Sequence, residues 1–163
     1  MKLDVTIKPE IGILEIDLND SISLLSRILA DEMVLYIKTR KFHWNVSGQS
    51  FMELHKLFQS QYTELEETID QIAERINKLG GNTIGTMNEF VKITRLKESP
   101  GDYPQQLKMM EELLKDHETL IIELRNDVEV INLNSKDIGT VDFMTGLVQQ
   151  HETTAWILRR YLN

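Results

Sequence analysis

The chain has 163 residues, 27% of them charged, with a formal net charge of −8 and no cysteine. That length fits one domain able to build its own apolar core, and the missing cysteines exclude disulfides, thiolate metal sites and cysteine nucleophiles. The acidic balance argues against a phosphate-binding surface.

Residues 1–18 read as a short N-terminal extension to a single domain spanning 1–163. The opening Met1-Lys2-Leu3-Asp4-Val5 lacks the apolar heart of a secretion signal, and no run approaches transmembrane length, so a cytoplasmic protein without membrane contact is expected. A first helix is predicted after a cap at Asn19 or Asp20, with Ile22, Leu25, Leu29, Met33 and Tyr36 recurring every three or four residues. Neither Gly nor Pro interrupts Gln49 through Leu79. There Leu54, Phe58, Tyr62, Leu65, Ile69, Ile72 and Ile76 predict a second helix, with Ser50-Phe51-Met52-Glu53 as its capping box and Gly80-Gly81 as its stop. The link from Gly80 to Pro104 is too long for a bare turn. Inside it, Thr86-Met87-Asn88-Glu89 resembles another capping box and predicts a short helix through about Ile93. Leu107, Met110, Leu113, Leu120, Leu124, Val128 and Ile131 mark a third long helix. A fourth follows Asp137 or Thr140 and carries Val141, Met144, Val148, Ala155, Leu158 and Leu162. The expected architecture is all-α: a ferritin-like four-helix bundle with one long crossover containing a short helix between helices two and three.

The residues able to do chemistry are few. Asp70 and Glu74 sit one helical turn apart and share a roughly 100° arc with His55, although His55 and Asp70 are about 22 Å apart along the axis. One helix face thus carries two half-sites at its two ends, and a second copy laid antiparallel across a two-fold axis would complete both. His43 lies 18 positions after Leu25, five whole turns, so it faces with that helix's apolar stripe. Imidazole plus carboxylate is a set suited to ferrous iron, manganese or zinc. Trp44, beside His43, is a packing residue or an electron relay for a redox metal. His117 and His151 fall on apolar stripes without an acid at matched helical spacing, and both are assigned to packing. No phosphate-cradling glycine loop, nucleophile elbow or H-E-x-x-H zinc helix occurs.

The run Lys38-Thr39-Arg40-Lys41-Phe42-His43-Trp44-Asn45-Val46-Ser47-Gly48, then Phe51, Leu54-His55 and Asp70-Gln71-Ile72-Ala73-Glu74-Arg75, resembles the signature of the Dps proteins, the miniferritins. The likeness extends to His151-Glu152, Ala155-Trp156 and Leu158-Arg159, and so spans nearly the whole chain. The resemblance implies a hollow homo-dodecamer with iron sites at two-fold interfaces, Asp70 and Glu74 from one subunit and His43 and His55 from its mate. It implies a ferroxidase that oxidises ferrous iron with hydrogen peroxide or dioxygen and stores the ferric mineral, protecting against oxidative damage. It also implies acid-lined pores at three-fold axes, whose positions match Asp137 and Asp142, while capping explains Asp137 equally well.

One position departs from the family pattern. Four residues after the second histidine the family usually places an acid, and here stands Gln59, a neutral and weaker ligand. A static zinc or manganese site without turnover is therefore an alternative. A DNA-compacting structural role is another, disfavoured because the termini carry no lysine-rich tail and twelve copies would sum to about −96 formal charges. DNA binding is expected to be weak or absent.

Overall fold

The computed structural model describes residues 8–163, which form five helices: α1 (Glu15–Asn45), α2 (Phe51–Lys78), α3 (Met87–Ile93), α4 (Gln106–Asn134) and α5 (Ile138–Leu162). Among the described residues there is no strand. α1 packs against α2 and α4 against α5, with α3 laid on α1. The directions follow from paired residues. His43 meets His55 and Tyr36 meets Tyr62, so α1 and α2 are antiparallel. Arg75 pairs with Asp137 and Thr68 with Gln150, making α2 and α5 antiparallel, and Glu118 with Arg159 and Arg125 with Glu152 do the same for α4 and α5. The crossover therefore leaves α2 and α4 parallel, the one-crossover bundle expected from the sequence.

The stripes supply the core. Leu25, Leu29, Ile72, Ile76, Leu124, Ile131, Met144 and Val148 fill one end, and Phe42, Leu54, Phe58, Leu65, Met110, Leu113, Leu120 and Leu158 fill the other. Leu107 departs from its predicted stripe: it is exposed at the start of α4, and Met109 is buried instead. α1 also begins earlier than expected. Asn19 and Asp20 lie within it, because Leu14 already has extended N-cap geometry and Leu18 is buried one turn later. Four residues expected in the extension (15–18) are thus helical, and residues 1–7 lie outside the described part.

Caps also differ in kind. Ser50 makes no side-chain cap bond at α2, where its backbone (φ −94°, ψ 25°) is not the extended N-cap conformation, and the Glu53 carboxylate accepts the Tyr161 hydroxyl from α5 at 2.7 Å instead of closing the box. Thr86 and Glu89 do form the expected reciprocal box at α3. The α2 stop works as predicted: Gly80 adopts φ +88°, a left-handed conformation that favours glycine, and the Gly81 N–H bonds back to the Ile76 carbonyl.

The crossover is held by charge. The buried Asp31 carboxylate on α1 accepts from the Arg95 backbone N–H, the Arg95 guanidinium and the Thr94 hydroxyl, while Arg95 also reaches Glu123 and Asp127 on α4. Lys38, likewise buried, donates to Asp116 on α4 and to the Lys97 carbonyl. Two cations thus pin the strap to both helices that it crosses.

Candidate metal centre

The last turn of α1 and the first turns of α2 bring His43 and His55 face to face. Their rings stack with centroids 3.8 Å apart and planes inclined by 19°. Each Nδ1 lies against the other residue's backbone carbonyl, His43 to His55 O at 2.8 Å and His55 to His43 O at 2.9 Å. A carbonyl only accepts, so both Nδ1 atoms carry the proton. That fixes the tautomer and leaves each Nε2 as a lone pair, to which no described residue donates. Histidines that bind metals are held by this kind of bond on the far ring nitrogen. Packing completes the setting: Phe51 tilts against His55 at 5.1 Å and Tyr62 meets His43 edge-on at 5.2 Å.

The carboxylates lie elsewhere. Asp70 and Glu74 are exposed on the far part of α2, about 22 Å along the helix from His55 in the case of Asp70. Glu74 pairs with Lys78 at 3.0 Å, an exposed contact. Asp70 opens onto an apolar groove of about 730 Å³ that Met33, Tyr36, Ile69, Ala73 and Met87 also line. Among the described residues, no three His, Asp or Glu side chains gather as a metal-holding group. Gln59 is exposed one turn beyond His55, and Trp44 is 64% exposed, with the Arg40 guanidinium 5.5 Å from its ring.

The two acids suggested for a pore separate in character. Asp137 is buried, caps α5 through the Thr140 N–H at 3.0 Å and pairs with Arg75 at 2.9 Å. Burial alone would raise its carboxyl, but bonds from Thr140 and the Arg75 charge help to outweigh this and hold it below the ordinary range. Capping accounts for Asp137. Asp142, one turn on, is exposed.

The assignment of His117 and His151 to packing needs correction. Both are buried, as their stripes require, but they form a polar chain through the bundle. His117 Nδ1 meets His151 Nδ1 at 2.9 Å, and His151 Nε2 meets Glu32 Oε1 at 2.7 Å. The acid comes from α1 across the bundle, which spacing along α5 could not reveal. Glu32 itself lies inside the first helical window, and a carboxylate at a fully buried position was the missed signal. His117 Nε2 and Glu32 Oε2 are left without partners.

Comparison with known proteins agrees with the fold. Residues 22–163 match the ferritin-like domain. A low temperature-induced protein of Nostoc sp. is 43% identical over 93% of this chain and 85% of its own length. The DNA protection during starvation protein 2 of Bacillus anthracis is 38% identical over 87% and 96%. Among solved structures, DpsC from Streptomyces coelicolor superposes with a TM-score of 0.92 at 27% identity, covering 96% of this chain and 91% of that one. A Dps protein from Vibrio cholerae, described as a ferritin-like diiron-carboxylate protein, gives 0.89 at 29% over 96% and 97%.

Proposed function

The chain belongs to the ferritin-like family, among the Dps proteins, and on that premise we propose that it is a ferroxidase miniferritin with its iron site shared between subunits. Two ferrous ions each give one electron to hydrogen peroxide, which takes up two protons and leaves as two waters. The ferric product is then stored within a dodecameric cage. His43 and His55 offer oriented Nε2 lone pairs from one subunit, and Asp70 and Glu74 of the antiparallel copy bring the negative charge. Gln59 adds an amide oxygen where the family has an acid, and Trp44 is the candidate relay.

The observation that carries this reading is the reciprocal imidazole–carbonyl lock at one end of α2, with an Asp–Glu pair at the other end. The apolar groove beside Asp70 supports pairing with a second copy, because such a surface is covered at an interface. Glu74 must exchange Lys78 for the cation, a small cost for an exposed pair. Gln59 supports a second reading, a static zinc or manganese site. The name shared by several relatives concerns DNA protection; at −8 per chain we assign such protection to removal of iron and peroxide rather than to DNA contact.

The test is anaerobic ferrous loading of the assembled protein, followed by stoichiometric peroxide and absorbance. Rapid protein-dependent oxidation with ferric iron retained in soluble cages is expected. His43→Ala and Glu74→Ala should each abolish tight ferrous binding while leaving the assembly intact on size-exclusion chromatography. Full binding in either variant defeats the shared site, and tight metal binding without oxidation selects the static reading.

A further inference from the structure

A polar layer interrupts the core at mid-bundle. One apolar cluster ends at Ala30 of α1 and Val148 of α5, the other resumes at Val34 and Leu158, and between them lie the buried Glu32 and His151. His151 Nε2 meets Glu32 Oε1 at 2.7 Å, and His151 Nδ1 meets His117 Nδ1 at 2.9 Å, so one imidazole joins α1, α4 and α5. From α2, the Glu64 carboxyl lies within electrostatic reach of His151, Glu67 and Glu32. Asp31 and Asp116, next in sequence to members of the chain, are bonded away from it, to Arg95 and Lys38.

With Glu32 ionised and both imidazoles neutral, every bond has one direction. The carboxylate only accepts, so His151 Nε2 holds a proton. The bare His151 Nδ1 then accepts from His117 Nδ1–H, and His117 Nε2 is left as a lone pair without a partner. One added proton fits without moving a heavy atom. The bond between the rings reverses: His151 Nδ1 becomes the donor, and His117 carries its proton on Nε2. A His151 imidazolium then stands between the Glu32 carboxylate and a neutral His117. A second proton has no such place. On His117 it sets two N–H groups against each other at 2.9 Å and two cations in the core with ring centroids 5.1 Å apart. On Glu32 it removes the counter-charge bonded to His151. Full enclosure of His117, with His151 beside it, disfavours its charged form. We propose that this chain is an acid-sensitive latch seating the α1–α2 hairpin on the α4–α5 hairpin, which takes up one proton by reversing its bonds and lets go at the second. Met33, the residue after Glu32, lines the groove beside Asp70, so latch and groove share one turn of α1. The latch holds whether or not the protein oxidises iron.

The experiment uses the full chain in its assembled state. It contains four histidines, few enough for nitrogen-15 histidine labelling and magic-angle-spinning NMR to distinguish every ring nitrogen. On lowering the pH from about 7.5 to about 4.5, His117 should switch from Nδ1–H to Nε2–H as His151 gains its second ring proton, both changes sharing one midpoint. Hydrogen exchange read by mass spectrometry, corrected for intrinsic rates, follows release. Below that midpoint, opening of peptides at the middle of α1 and of α5 should rise about tenfold per pH unit, the slope of one proton, while the strap around Arg95 stays protected. His117→Asn keeps an acceptor for His151 Nδ1 but takes no second proton, so its rise should vanish. Leu120→Ala weakens the same helix without titrating, and should raise exchange at every pH with the slope kept. A His117 that retains Nδ1–H throughout overturns the bond reversal. A slope that survives in His117→Asn, or a strap that opens in step with α1 and α5, overturns the latch.

Discussion

Replacing His117 by Asn should flatten the loss of stability on acidification. In the folded bundle the His117 imidazole is fully enclosed, and burial, together with the neighbouring His151, pushes its pKa well below 6.5. Glu32 from α1 and His151 from α5 complete the chain that it ends. From α2, Glu64 bears on the same cluster: burial raises its carboxyl, His151 lowers it, and Glu67 and Glu32 raise it. In the unfolded chain an imidazole takes its proton near pH 6.5. Below that pH the unfolded state binds one proton more than the folded state, so His117's contribution is present above about pH 6.5 and lost as pH falls. Integrating over one such group gives about 1.4 kcal/mol per subunit between pH 7.5 and 5.5. Asn keeps a short amide for His151 Nδ1 yet cannot titrate. Urea unfolding followed by circular dichroism, at fixed subunit concentration because assembly adds its own mass action, measures both chains at both pH values. The variant should start weaker, having lost side-chain volume, and the gap to wild type should narrow by about 1.4 kcal/mol on acidification. Asp31 and Asp116, whose carboxyls burial raises, act in the opposite sense in both chains and cancel. Equal losses in wild type and variant would refute the argument, because the folded bundle would then admit a proton at His117 without cost.

Arg95→Met should cost about 3–5 kcal/mol in the same denaturation assay, since it strands the buried Asp31 and Asp127 carboxylates, and adding Asp31→Asn should recover part of that. Gln59→Glu should tighten anaerobic ferrous binding roughly tenfold by calorimetry, about 1.4 kcal/mol for one restored charge. Thr86→Ala removes the cap of α3 and should lower stability by about 1 kcal/mol, read as a fall in thermal midpoint.

Helices were legible in the sequence because each long one has an uninterrupted apolar stripe, and the crossover was legible because Gly80 to Pro104 is too long for a turn. Cap chemistry was half legible. Thr86–Glu89 closes its box with only the neighbouring Gly85 N–H joining it, while Glu53 is taken by Tyr161, 108 positions away, a contact no local pattern encodes. The candidate site divides in the same way. Spacing on α2 alone placed His55 and the Asp70–Glu74 pair at opposite ends of one helix. The ring stacking, the reciprocal bonds and Tyr62 depend on where α1 crosses α2 and had to await the fold. The Glu32–His151–His117 chain was missed because its three members come from three helices, and periodicity reads one helix at a time.

The lock between His43 and His55 also bears on how cargo and assembly depend on one another. Its partners are 12 residues apart and bonded within one hairpin, so the imidazoles are oriented by local folding, before any subunit meets another. The carboxylates on the same chain lie too far away to use that preparation. On the proposed shared site, a lone subunit would hold half of each of two sites and the whole of neither, and ferrous iron would be a ligand of the assembled state alone. By linkage, iron should strengthen the subunit contacts by the same free energy with which assembly strengthens iron binding. The cage and its cargo would then be two ends of one equilibrium, and dilution should release both together.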